Sequence, residues 1–327
     1  MKKGNKFIVY SYIIGKMSIK ELMAVDIGNS QMKFGRYLRS AIDTVVGLPQ
    51  PSQVIIDNLP KFQQLELGLR EEPLEEGTEW LISSVRDENL SLLRQWLREN
   101  RPKDSVRILS QRDIRMPVEV DEPEKIGLDR LCNALAATSL AKRNEPVLIV
   151  DIGSAVTFDV VSGDGRFLGG AIMPGFRASA VTLQKISHCL PVIETDDLRF
   201  PSYPGRNTVA AIETGLFWGM VGAIRQFLAF AQEGHEQALL LLTGGDAFPV
   251  LEALLNPNFN PQTDSIIAEA TRVADPSGFS CPPIVASQGA NVGSESMPDD
   301  AFIPVSRFHE AICCPFLTLS GVALCNI

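Results

Sequence analysis

The sequence predicts an α/β protein of two similar lobes. Three observations carry that prediction: an apolar strand running into an Asp-x-Gly turn occurs twice, each copy folds back into a second strand, and strands alternate with helices between the copies. The first copy is Met23-Ala24-Val25-Asp26-Ile27-Gly28-Asn29-Ser30, returning through residues 31–37. Next come a strand at residues 78–85, a helix over residues 88–99 with Leu90, Leu92, Leu93, Trp96 and Leu97 turned inward, and a strand at residues 106–109. A helix at residues 128–141 starts directly after Gly127. The second copy, Ile149-Val150-Asp151-Ile152-Gly153-Ser154-Ala155, returns through residues 156–161, turns at Ser162-Gly163-Asp164-Gly165 and continues through residues 166–173. Helices at residues 176–186 and 208–232 follow, then a buried strand at residues 238–242 ending in Thr243-Gly244-Gly245-Asp246, and a helix reaching Leu255. Residues 257–312, rich in Asn, Pro, Ser and Gly, are expected to be a surface insertion with little core of its own. Residues 315–323 return to an apolar, strand-like composition.

Composition narrows the function. The 327 residues are 45% hydrophobic and 21% charged, enough to bury a sizeable core. With 30 Lys plus Arg against 39 Asp plus Glu, the net charge of -9 supplies no basic footprint for nucleic acid or an anionic membrane. The six cysteines, Cys132, Cys189, Cys281, Cys313, Cys314 and Cys325, form no CxxC pair and have no His at ligand spacing, so free buried thiols in a reducing cytoplasm are expected. His188, His235 and His309 are scattered and suggest no histidine-based mechanism. The lysines and short apolar run of residues 2–14 have a signal-peptide look, but Lys16 ends the run and no small-residue cleavage site follows. Residues 1–22 are expected to be an extension ahead of a start at Met17 or Met23. Residues 209–231 are apolar, but Glu213, Arg225 and three glycines interrupt them, which fits a buried interface helix better than a membrane span.

An Asp-x-Gly at a hairpin tip suits nucleotide chemistry. Glycine lets backbone N–H groups approach phosphate oxygens, and the carboxylate can hold a hydrated Mg²⁺ shared with those phosphates. One such tripeptide alone reads first as an ordinary turn; two copies joined by Thr243-Gly244-Gly245 resemble the phosphate and adenosine elements of the acetate and sugar kinase, heat-shock chaperone and actin superfamily. Gly127-Leu128-Asp129-Arg130 sets a carboxylate beside a guanidinium at a helix start, where backbone amides also favour anions. That suits a substrate ending in a carboxylate, and an ordinary helix-capping ion pair is the alternative.

Five elements in order resemble the type III pantothenate kinases: Asp26-Ile27-Gly28-Asn29-Ser30, Gly127-Leu128-Asp129-Arg130, Asp151-Ile152-Gly153-Ser154-Ala155, Gly169-Gly170-Ala171-Ile172-Met173-Pro174-Gly175 and Arg206-Asn207-Thr208. Leu317-Thr318-Leu319-Ser320-Gly321 looks like the family's terminal strand. The resemblance covers residues 22–255 and 315–323. It implies two actin-like ATPase (ribonuclease H-like) lobes with the active site in the cleft between them, residues 23–142 forming one lobe and residues 143–327 the other. The implied activity is ATP-dependent phosphorylation of pantothenate to 4'-phosphopantothenate, the first step of coenzyme A synthesis, by a cytoplasmic homodimer. The implied ATP contacts are Asp26, Ile27, Gly28, Asn29, Ser30, Gln31, Met32, Lys33 and Ser154, with Asp26 toward Mg²⁺. Asp151 corresponds to the ligand of a monovalent cation, K⁺ or NH₄⁺. Gly127, Leu128, Asp129, Arg130 and Thr208 would contact pantothenate, with Asp129 as general base and Arg130 on the substrate carboxylate. Thr208 is equally readable as the N-cap of the long helix. The sequence departs from the pattern at Val120, where the family often has tyrosine, and at Ser30 and Ser154, where it commonly has threonine. A regulatory accessory protein of the same fold, or an ATPase indifferent to pantothenate, are the alternative readings.

Overall fold

The structure is a computed structural model that describes residues 21–44, 48–58, 62–187, 189–193, 200–232, 238–255, 284–286, 310–314 and 316–325. The three histidines, Cys281 and residues 1–20 lie outside the described residues. The first sheet comprises β1 (Glu21–Ile27), β2 (Gln31–Leu38), β3 (Gln53–Asn58), β4 (Glu79–Ser84) and β5 (Ser105–Ile108), in the order β3-β2-β1-β4-β5. The helices of this half are α1 (Arg39–Thr44), α2 (Gln63–Glu71), α3 (Asp87–Asn100) and α4 (Leu128–Thr138). The second sheet holds β6 (Val147–Ile152), β7 (Ala155–Val161), β8 (Phe167–Pro174), β9 (Leu239–Thr243), β10 (Ile284–Ala286) and β11 (Glu310–Cys313), in the order β10-β11-β9-β6-β7-β8. Its helices are α5 (Phe176–Ile186), α6 (Thr208–Gln232) and α7 (Ala247–Leu255), and α8 (Leu317–Leu324) closes the described chain.

The two sheets repeat one plan. In each, an antiparallel three-strand meander (β1-β2-β3, β6-β7-β8) is extended on its first strand by a parallel strand and then another (β4-β5, β9-β11). This duplicated topology is the actin-like, ribonuclease H-like arrangement that the family resemblance implies.

Strand alternation sorts the core into layers, because successive side chains on a strand point to opposite faces. Leu22 and Ala24 of β1 and Val147 and Ile149 of β6 share one central core with α4 and α8. Met23, Val25 and Ile27 face a second core with Leu65 of α2 and Leu93 and Leu97 of α3. Leu148, Val150 and Ile152 face a third with α6 and α7. Two helices therefore lie between two sheets, with helices again on both outer faces.

Several expectations need correction. Residues 317–324 form a helix, not a strand. Seven of its eight residues are buried, Thr318 and Ser320 included, and a short run buried on every side carries no helical period to separate the two states. Leu92 is 38% exposed, because α3 buries the line Asn89, Leu93 and Leu97, spaced four apart, and Leu92 stands off that line. Of the expected surface insertion, the described residues 284–286 and 310–312 are strand, and β11 lies inside the second sheet between β9 and β10. Cys189 is exposed, while Cys132, Cys313, Cys314 and Cys325 are buried. Among the described residues no helix is long and apolar enough to cross a membrane.

Candidate active site

The alternation that builds the layers also aims the site residues. Asp26 lies on the face of β1 that carries Leu22 and Ala24, and Asp151 on the face of β6 that carries Val147 and Ile149. Both carboxylates therefore point into the central layer, each one residue before its strand ends. Asp26 pairs in register with Lys33, whose Nζ stands 4.0 Å from Asp26 Oδ2. The two turns meet at their tips, with Ser30 Oγ and Ser154 Oγ 2.6 Å apart.

Helix α4 enters between them. Gly127 occupies its N-cap and Asp129 its first turn, where Asp129 Oδ1 accepts the Arg130 N–H at 2.9 Å. One turn on, Asn133 donates through Nδ2 to Asp151 Oδ2 at 2.9 Å, and its Oδ1 accepts from Thr318 Oγ1 of α8 at 2.8 Å. Against the other oxygen of Asp151 stands Gly244, with φ +95°. A Cβ there would sit 2.7 Å from Asp151 Oδ1 and 2.3 Å from the Ile152 carbonyl oxygen, so the left-handed turn and the space beside the carboxylate both require glycine.

The electrostatics mark these acids as one group. Burial pushes Asp26 up to about 6, Lys33 pulls it back, and Asp129 and Asp151 raise it further. Asp151 is likewise raised by burial and by Asp129, against the opposing pull of Lys33 and Asn133. Three carboxylates and one lysine thus converge where two hairpin tips and a helix start meet, an arrangement that favours incoming cations.

The sequence reading missed Asp159. This β7 carboxylate has no exposed side-chain surface, accepts the Arg130 Nε at 2.9 Å and is also ion-paired with Nη2, while the guanidinium lies 5.5 Å from the Phe167 ring centroid. Arg130 is therefore fixed by an acid 29 residues away. The available signal was a charge inside the apolar strand Ala155-Val156-Thr157-Phe158-Asp159-Val160-Val161. Asp159→Asn leaves Arg130 without its buried counter-charge and is expected to cost roughly 3–5 kcal/mol of stability. Urea unfolding measures it, and a loss under about 1 kcal/mol would show that the pair does not hold the helix start.

Other predicted contacts fall differently. Ile27 and Met32 turn their side chains into the outer core, so they can meet a nucleotide only through backbone. Thr208 stands exposed at the first position of α6, with no hydrogen bond or ion pair to the acidic group among the described residues. It is not the cap: the Asn207 side chain accepts the Ala210 N–H at 2.9 Å and fills that role. Val120 packs against the central core.

The raised acids set a pH dependence. Asp26 and Asp159 both lie near 6 against an unfolded value of 3.8, so between those values the folded chain binds protons the unfolded chain has released. Stability of the ligand-free protein is then expected to rise as pH falls from about 7 to about 5. Asp113, lowered to about 2 by its Arg107 partner, loses its contribution only below that window. Thermal unfolding across the window checks this, and a midpoint that falls steadily on acidification would contradict it.

Comparison with known proteins now bears on the same residues. A family model described as type III pantothenate kinase matches residues 22–229, a span that includes both Asp-x-Gly turns, the α4 motif and Asp159. The chain belongs to the type III pantothenate kinase family. A type III pantothenate kinase from Rhodopirellula baltica is 38% identical over 152 residues, 46% of this chain and 54% of that protein. Another, from Paramagnetospirillum magneticum, is 38% identical over 138 residues, 42% of this chain and 52% of its own length. These matches span about half the length of those relatives. A third, from Roseobacter denitrificans, is 30% identical over 243 residues, covering 71% of this chain and 88% of that kinase. In this type III pantothenate kinase family member, Asp26, Asp129 and Asp151 of the matching motifs lie in one group, while Ile27 faces the outer core and Thr208 stands apart from them.

Proposed function

We propose that this chain transfers the γ-phosphate of ATP to the primary hydroxyl of pantothenate, giving 4'-phosphopantothenate. The observation that carries the reading is the convergence of Asp26, Asp129 and Asp151 at the contact of the two hairpin tips, within a chain of this family. Phosphoryl transfer asks chiefly for positioning and charge neutralisation, and this site supplies backbone turns, a lysine and a carboxylate in reach of one another.

In this reading residues 26–33 and Ser154 hold the triphosphate, through turn amides, the serine hydroxyls and Lys33. Arg130, oriented by Asp159, binds the pantothenate carboxylate, and Thr208 contributes a further substrate contact. Asp129 accepts the proton of the primary hydroxyl on a carboxylate oxygen as that hydroxyl attacks phosphorus.

The acids also fit cations. Among the described residues no group of three or more His, Cys, Asp or Glu could hold a metal by itself, so a Mg²⁺ at Asp26 would complete its shell from phosphate oxygens and water. Asp151 Oδ1, lying in the cradle that a Cβ at Gly244 would fill, suits a monovalent ion, K⁺ or NH₄⁺. Asp26 and Asp151 would hold these cations, whose charge would offset that of the transferring phosphate.

The reading extends to a cytoplasmic homodimer. Gly215, Gly219 and Gly222 line one exposed side of α6 with open space before them, and small residues let a second helix approach closely. The test of the activity is coupled ADP release with Mg-ATP and K⁺, with and without pantothenate. Pantothenate-dependent release supports the kinase; release indifferent to pantothenate gives an ATPase, and nucleotide binding without turnover gives an accessory protein.

A further inference from the structure

Helix α8 reaches the site through its packing on α4, and the closest point of that packing carries two thiols. A Cβ on Gly321 would lie 2.0 Å from the Cys132 carbonyl oxygen, so the two helix backbones touch there. Cys325, the C-cap residue that ends α8, follows Gly321 by four residues, its Sγ donating to the Gly321 carbonyl at 3.3 Å. Cys132 and Cys325 lie in the same buried cluster, and each thiol shifts the other's ionisation, Cys132 upward and Cys325 downward. Cys132 is fully buried and Cys325 is 8% exposed, at the rim beside Arg107 of β5. Neither thiol has a part in the phosphoryl transfer proposed above.

We propose that Cys132 and Cys325 form an oxidisable dithiol, closed to a disulfide by a hydroperoxide. The rim thiol, Cys325, reacts first as thiolate: its sulfur attacks the peroxide oxygen, the O–O bond breaks, and an alcohol (water, from hydrogen peroxide) leaves as Cys325 becomes a sulfenic acid. The Cys132 sulfur then attacks the Cys325 sulfur, its proton departs with the hydroxyl as water, and the S–S bond forms. Two thiols lose two electrons and two protons; one hydroperoxide gains both pairs.

The bond consequently clamps α8 to α4 one turn from residues that matter. Cys132 directly precedes Asn133, which joins Thr318 of α8 to Asp151, and follows Asp129 and Arg130 on the same helix. Drawing the two thiols to covalent distance shifts this seam and, on the proposed reading of the site, lowers activity until a reductant opens the bond.

The test uses the full chain treated with hydrogen peroxide, alkylated and digested. The expected result is a Cys132–Cys325 linked peptide, lighter by two hydrogens than the sum of its thiol forms and abolished by dithiothreitol. Peroxide should also cause a loss of turnover that dithiothreitol restores and that the Cys325→Ser and Cys325→Ala variants do not suffer. Peptide mapping needs no activity, so it judges the dithiol even if the kinase reading fails. If Cys132 and Cys325 remain alkylatable while Cys189 or the neighbouring Cys313 and Cys314 take the oxidation, the proposal is overturned. If the link forms without any change in turnover of an active enzyme, the clamp on the site is overturned.

Discussion

Asp129→Asn is expected to lower kcat by on the order of 10²-fold or more, with the affinity for Mg-ATP little changed. The substitution is nearly isosteric, and asparagine can still accept the Arg130 N–H that Asp129 Oδ1 accepts at 2.9 Å, so the start of α4 is preserved. What is lost is a proton acceptor. It also removes a negative charge that raises both Asp26 and Asp151, so those two acids ionise more readily. The loss therefore falls on turnover rather than on nucleotide binding. Titration calorimetry with Mg-ADP beside steady-state kinetics separates the two, and unchanged kcat removes Asp129 from the chemistry.

The second large effect concerns the monovalent ion. Replacing K⁺ and NH₄⁺ by tetramethylammonium at constant ionic strength should collapse activity, because the space at Asp151 is limited by the Gly244 turn and by Asn133. A bare ammonium or potassium ion can shed water and bind oxygen; a methylated ion presents only carbon. Substituting Gly244→Ala gives an independent version of the same experiment, since its Cβ would stand 2.7 Å from Asp151 Oδ1. That variant also strains a left-handed turn, so its folded fraction is read by circular dichroism first. Activity indifferent to the cation swap would remove Asp151 from this role.

Much of this molecule was legible in its sequence, for identifiable reasons. Strands that end in Asp-x-Gly announce themselves through a polar residue at the tip of an apolar run, which is why both hairpins and both aspartates were found. The helix at Phe176–Ile186 was bounded correctly because Gly175 marks its start and polar Ser187 its end. Elements failed where that contrast is missing. The strand at Gln53–Asn58 and the helix at Gln63–Glu71 lie in a stretch of mixed polarity and were overlooked, and α8 is buried on nearly every side.

Within the site the limit was distance along the chain. Asp129 and Arg130 could be read as a local motif, whereas the partners that fix them could not. Asp159 meets Arg130 across 29 residues, and Thr318 meets Asn133 across 185. No local pattern encodes such pairs; they emerge only when strand alternation and helix packing place β7 and α8 against α4. Similarly, Ile27 and Met32 belong to a phosphate-turn motif by position, yet alternation sends their side chains into the outer core.

The destination of the γ-phosphate decides the activity most directly. With γ-labelled ATP, Mg²⁺, K⁺ and pantothenate, label is expected in a product heavier than pantothenate by one phosphoryl group, with the phosphate on the primary hydroxyl. Label appearing only as inorganic phosphate, or remaining on ATP while nucleotide binds, would contradict the kinase reading.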